Sequence, residues 1–197
     1  MSHNIYNTKA FIIDTLPSRE SDKMVVMYTE DFGLIMAVAQ GVREMKSKLR
    51  YSLQDFSYGT VALVRGREMW RITNAATEIS IFNKALNSVA RETLAEILKF
   101  VKRFAPGEAR NDDIFESLKN ASAFLFRYQK EITAADIKTL ETVTKIRIMY
   151  TLGYVKRTIE NKEILIEKFT PETIKKWEPE QNTIQGIITE SIGISHL

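Results

Sequence analysis

Lys23-Met24-Val25-Val26-Met27-Tyr28-Thr29, then Glu30-Asp31-Phe32-Gly33, then Leu34-Ile35-Met36-Ala37-Val38-Ala39-Gln40-Gly41-Val42 read as strand, tight turn and strand. Val, Ile, Tyr and Thr suit a pleated surface, and a turn closed by glycine joins the two runs as a hairpin. Working outward, Tyr6–Leu16 precedes this hairpin, and Phe56–Arg65 and Met69–Thr77 follow it. Pro17-Ser18, the stretch 43–50 and Arg65-Gly66-Arg67 punctuate the series. Five strands in so short a span, some apolar on both faces, predict a closed or nearly closed barrel covered at one end.

Beyond about residue 83 the period changes. Leu94, Ile97, Leu98, Val101 and Phe104 follow helical spacing and stop at Ala105-Pro106-Gly107. Asn111 offers an N-cap to a second helix, with Asp112 and Asp113 in its first turn and Ile114, Leu118, Ala121, Leu125 and Tyr128 as its stripe. A third helix is expected over Ala134–Leu152, carrying Ile137, Leu140, Val143 and Tyr150 and capped by Gly153. Thr170-Pro171 starts a short fourth helix. Ile184–Leu197 shows no clear period. The expected class is α+β, a five-stranded barrel over 1–80 followed by an all-helical domain over 81–197. The helical stripes read as core faces rather than as a cofactor groove.

Composition removes several chemistries. The chain has no cysteine, which excludes a disulfide scaffold, a thiolate zinc site and a cysteine nucleophile. Its histidines are His3 and His196, both at chain ends, so a histidine general base, triad or metal site lacks its central residue. Neither a GxxxxGK[ST] nor a GxGxxG loop occurs. The acidic pairs Glu30/Asp31 and Asp112/Asp113 fall in a turn and a helix first turn, where carboxylates have structural uses. No metal or cofactor is expected. No apolar run reaches the roughly 18 residues of a membrane span, and the N-terminus lacks a signal-peptide layout, so the expected location is cytoplasmic.

The net charge is only +3, but its placement is uneven. Between Gln40 and Arg71 stand Arg43, Lys46, Lys48, Arg50, Arg65, Arg67 and Arg71 against Glu44, Asp55 and Glu68, a local excess larger than that of the whole chain. Clustered cations attract polyanions by counterion release; the plain alternative is a solvated surface. A five-stranded barrel followed by helices matches the habit of OB-folds, which hold single strands on a sheet face framed by loops. The loop Val42–Tyr51 supplies four cations and the ring of Tyr51. Lys23 is counted with this surface, and Trp70, Tyr28 and Tyr58 are further stacking candidates if they face outward.

These residues also carry a resemblance. Glu20-Ser21-Asp22-Lys23, Val25-Val26, Tyr28-Thr29, Phe32-Gly33, Ala39-Gln40-Gly41-Val42-Arg43, Lys48-Leu49 and Leu53-Gln54-Asp55-Phe56 resemble the N-terminal domain of the RecO family. Ile148–Tyr154 resembles the L-x-x-L-G-Y helix end of its second domain. The resemblance implies a bacterial DNA repair and recombination mediator of the RecF pathway, without catalytic turnover, associated with the nucleoid during repair. Such a mediator binds and anneals single- and double-stranded DNA and helps load recombinase onto DNA covered by single-strand-binding protein. It implies RecR and the acidic C-terminal tail of the single-strand-binding protein as partners, with Lys99, Lys102 and Arg103 as candidates for holding the tail. Many members carry a cysteine-rich zinc module after the L-G-Y helix, whereas Val155–Ile166 has no cysteine, so a short member with a reduced helical domain is expected. Two other readings remain at this point: an OB-fold adaptor binding protein or RNA without annealing, and a carboxylate-metal nuclease.

Overall fold

The computed structural model describes residues 4–80, 86–155 and 162–195. Two units emerge: one comprises 1–83 and 105–111, the other 84–104 and 112–197. His3 and His196 lie outside the described residues, as do positions 156–161 of the cysteine-free segment.

The first unit is a closed barrel of strands β1 (Ile5–Pro17), β2 (Lys23–Thr29), β3 (Gly33–Ala39), β4 (Ser57–Arg65) and β5 (Trp70–Ser80). A short helix, α1 (Leu49–Ser52), lies within the basic loop, which the sequence reading took as loop throughout. Strand order is β1-β2-β3-β5-β4, with β3 and β5 parallel over Ala37–Ala39 and Trp70–Ile72. That order, with β1 shared between β2 and β4, is the OB-fold. β1 serves both neighbours because a bulge between Ile12 and Asp14 bends it, its N-terminal half pairing β4 and its C-terminal half β2. Alternate side chains Val25 and Met27, Ile35 and Ala37, Val61 and Leu63, and Trp70 and Ile72 fill the interior.

Two glycines are required by close approach. Gly33 has φ of 68°, and a Cβ there would lie 2.1 Å from the carbonyl oxygen of Ala109. Leu34 donates its N–H to Gly107, so the segment 105–111 is stitched to the β2–β3 turn. At Gly59 a Cβ would meet the Ala76 carbonyl, also at 2.1 Å.

The second unit contains α2 (Ser88–Phe104), α3 (Asp112–Arg127), α4 (Ala134–Thr151), α5 (Glu163–Ile166), α6 (Pro171–Trp177) and α7 (Gln181–Ser195). α2 and α3 bury the stripes expected of them except Tyr128, which follows α3 and is half-buried. Thr133 and Asp136 form a capping box that starts α4. Gly153 ends it at φ 79°, with Gly153 N–H on Tyr150 and Tyr154 N–H on Met149, a Schellman motif that accounts for the L-G-Y sequence. α4 is the axle of this unit. It packs on α2, α3, α6 and α7 and is buried on every side. Two of its interior hydroxyls are satisfied locally, Thr142 on Lys138 and Thr144 on Leu140, and Thr139 donates to the Gln181 side chain. Arg147 is buried too, donating to the carbonyls of Ile164 (2.6 Å) and Glu167 (2.7 Å) with its guanidinium over Phe169. Burial pushes it down to about 10, so it stays charged at neutral pH. The terminal stretch that shows no period is helix α7, held to α4 by Ile184 and Ile188, one turn apart. Among the described residues no helix is long and apolar enough to cross a membrane.

Candidate nucleic-acid interface

The loop after β3 is anchored at both ends. Val42 and Leu53 are buried in the barrel core, so the loop between them projects from one end of it, with Leu49 packed back against that core. Asp22, itself buried, accepts the N–H of Gly41 at 2.9 Å, where φ is 61°, and Ser21 accepts the N–H of Arg43 at 3.0 Å. The Ser-Asp pair and the Ala-Gln-Gly-Val-Arg pair, distant in sequence, are thus two halves of one joint that aims the loop. From it Arg43, Lys46, Lys48 and Arg50 extend into solvent, and Tyr51 is 71% exposed.

The cations gather at two hollows. One, of about 590 Å³, brings Lys23, Arg50 and Tyr51 together with Thr15, Gln54 and Asp55. The other, of about 320 Å³, lies between the β1–β2 turn and the β4–β5 turn. Arg19, Arg67 and Arg71 line it over a floor that includes Met24 and Val38. Asp22 and Glu68 also border it. Arg19 is absent from the sequence-based candidates; its signal was its place in the punctuation before Asp22, which charge counting from residue 40 onward omitted. Among the described residues none of Arg19, Arg43, Lys46, Lys48, Arg50, Arg67 and Arg71 forms an ion pair. These cations therefore make no direct ion pair, although Asp22, Glu68 and Asp55 line the same hollows.

Of the three conditional stacking candidates, Trp70 and Tyr28 do not face outward and Tyr58 does so only in part. Trp70 is buried, its ring packed on Phe32 and Tyr6, because its strand register turns it inward beside Ile72. Tyr28 is buried as well, since every residue of Val25–Thr29 is covered. Tyr58 is half-buried against Phe11. Of the four aromatic candidates, Tyr51 alone is fully presented. Arg65 is already engaged, bonding Glu108 at 2.7 Å with its guanidinium over Trp70. In the helical unit Lys99 pairs with Glu96 and Arg103 lies over Phe104; Lys102 is exposed near the end of α2.

The family model for the recombination protein O N-terminal domain matches residues 1–80, the barrel just described. The barrel is similar to the RecO N-terminal domain. The chain is 30% identical over 151 residues to the DNA repair protein RecO of Clostridium kluyveri, an alignment covering 76% of this chain and 56% of that one. It is 28% identical over 152 residues to the RecO of Clostridium novyi, covering 77% and 57%. It is 34% identical over 114 residues to that of Dehalococcoides mccartyi strain CBDB1, covering 57% and 45%. The chain spans about half the length of these curated RecO relatives. Among the described residues, no three acidic or histidine side chains converge in a way that would hold a metal ion.

Proposed function

We propose that this chain is a DNA repair and recombination mediator that binds DNA on the barrel and anneals complementary strands without catalytic turnover. The observation that carries the reading is the set of gathered cations that form no ion pair among the described residues. It extends from Arg19, Arg67 and Arg71 between two barrel turns to the anchored loop of Arg43, Lys46, Lys48 and Arg50. Those two turns are the elements with which OB-folds frame a bound strand. Cations free of carboxylate partners release counterions from phosphate without first breaking an internal ion pair. The names of the relatives give the biological setting, DNA repair.

Partners follow from the same reading. The chain would help load recombinase onto DNA covered by single-strand-binding protein, with RecR as co-mediator. The acidic tail of the single-strand-binding protein would meet Lys99, Lys102 and Arg103, where Lys99 has to exchange Glu96 for the tail. The test is annealing of complementary oligonucleotides coated with the cognate single-strand-binding protein, with products read on native and denaturing gels. Accelerated duplex formation with full-length strands supports the proposal. Binding without annealing points to an adaptor for RNA or protein, and shortened strands in magnesium or manganese point to a nuclease.

A further inference from the structure

The loop between Val42 and Leu53 is an ordered ridge. Its backbone closes three turns in succession: Glu44 N–H on the Gly41 carbonyl at 3.1 Å, Ser47 N–H on that of Glu44 at 3.0 Å, and Arg50 N–H on that of Ser47 at 3.4 Å. Glu44 and Ser47 each end one turn and begin the next, and α1 continues the series. The middle turn carries Met45 and Lys46 at its two corners, both exposed, Met45 to 89%. Arg43 and Lys48 flank these corners, also exposed and without an ion pair among the described residues. The acid of the ridge is folded back to its base, where a Glu44 carboxylate oxygen lies 3.4 Å from the place a Cβ on Gly41 would take. A lone exposed apolar side chain is ordinary on a protein surface. One held at the tip of an ordered ridge, framed by cations, is more than phosphate binding requires.

We propose that Met45 is a wedge that enters a base-pair step of duplex DNA, while Arg43, Lys46 and Lys48 hold the phosphates beside the opened step. The inference rests on the DNA-binding reading above and adds to it an action on the paired product. An apolar side chain pushed between base pairs parts the stack and kinks the duplex by about 20–90°, and the cost of unstacking is offset by the phosphates that the bend brings onto the protein. Methionine suits this task because it is unbranched and its polarisable thioether sits well against aromatic rings. The ridge supplies the stiffness that a wedge needs, since its turns and its anchors at Val42 and Leu53 resist being pushed back. Tyr51 does not share the role; it lines the hollow with Lys23 and Arg50. A single strand has no paired step to enter, so this contact arises only once two strands have come together. A basic ridge with an apolar tip also has the chemistry to meet an anionic lipid surface, but one side chain buries too little apolar area for stable anchoring there.

The experiment uses a duplex of about 20 base pairs with a donor and an acceptor dye at its ends and 2-aminopurine beside a central TA step, the kind of step that unstacks most easily. Binding of the unaltered protein should raise energy transfer between the ends and raise 2-aminopurine emission several-fold. M45A should lose both signals and bind the duplex a few-fold more weakly, and M45L should keep them. The salt slope and the unfolding midpoint of M45A should match those of the unaltered protein, because the substitution removes neither a cation nor a buried contact. A bound duplex whose transfer and emission stay at their free values, or signals that M45A leaves intact, overturn the wedge but leave the DNA-binding reading standing. Failure to bind either duplex or single strand at low salt overturns both. Vesicles of phosphatidylserine and phosphatidylcholine supply the last arm: capture that M45A abolishes, with duplex signals that M45A does not move, overturns the proposal in favour of a lipid surface.

Discussion

The barrel and the helical unit differ in how their cations are grouped. In the helices, five lysines are matched to nearby carboxylates, while Arg91, Lys130, Lys162, Lys168 and Lys175 form no ion pair among the described residues. Glu141 holds Lys145 at 2.5 Å and Lys138 at 3.3 Å, Lys119 pairs with Glu116, and Lys176 bridges Glu163 and Glu167. Even buried Arg147 is fully occupied by carbonyls and the Phe169 ring. At one end of the barrel, by contrast, seven cations stand without ion pairs among the described residues. Charge matched in place serves the fold, whereas charge left unmatched and gathered is available to a ligand. Substitutions in the two regions should therefore separate into stability effects and binding effects.

The sharpest separation is expected from R147A. It strands the carbonyls of Ile164 and Glu167 and should cost about 2–4 kcal/mol in urea unfolding. The oligonucleotide salt slope of the protein that remains folded should be unchanged. Next in size, R19A/R67A/R71A should leave the unfolding midpoint within error. It should weaken single-strand binding by about one to two orders of magnitude at low salt and flatten the slope by about two. A loss of stability equal to that of R147A would break the comparison. Asp22 is the position where the two roles meet. D22A removes the acceptor of the Gly41 N–H and should cost about 1–2 kcal/mol while lowering affinity a few-fold, and D22N, which keeps an acceptor oxygen, should recover much of both. The smallest effect belongs to E108A. It releases Arg65 from an exposed pair, should change stability by about 0.5 kcal/mol or less, and should raise affinity by up to about twofold in anisotropy titrations.

Much of the barrel is legible in the sequence because its strands obey a simple period. In Gly33–Ala39 every second residue is buried, and the Asp31–Gly33 turn sets the hairpin. The orientation of Tyr28 is not legible. All of Val25–Thr29 is covered, so alternation loses its contrast and the phase of the strand cannot be read. Trp70 sits at the start of a strand whose inward register depends on three parallel pairs with β3, a long-range contact with no local signature. For the same reason the loop 43–50 is visible as a run of cations, while the arginine hollow is not: Arg19 comes from the β1–β2 turn and Arg67 and Arg71 from around the β4–β5 turn, which only barrel closure brings together. In the helical unit the stripe of α4 understates its burial, because a helix covered on all sides has threonine, glutamate and arginine among its interior residues. α7 escapes because Gly186 and Gly193 weaken its helical signal and its two buried isoleucines are too few to define a face.

The central claim is that the barrel's unmatched cations form the DNA-binding surface. It is tested most directly by the salt dependence of single-strand affinity in the unaltered protein, in R19A/R67A/R71A, and in R43A/K46A/K48A/R50A. The account predicts a steep fall of affinity with salt in the first. The slope should be flatter by about 0.7 for each phosphate contact removed in the other two, and nearly absent when the sets are combined. An unaltered slope in both variants, with binding retained, would contradict it and move the interface away from the barrel.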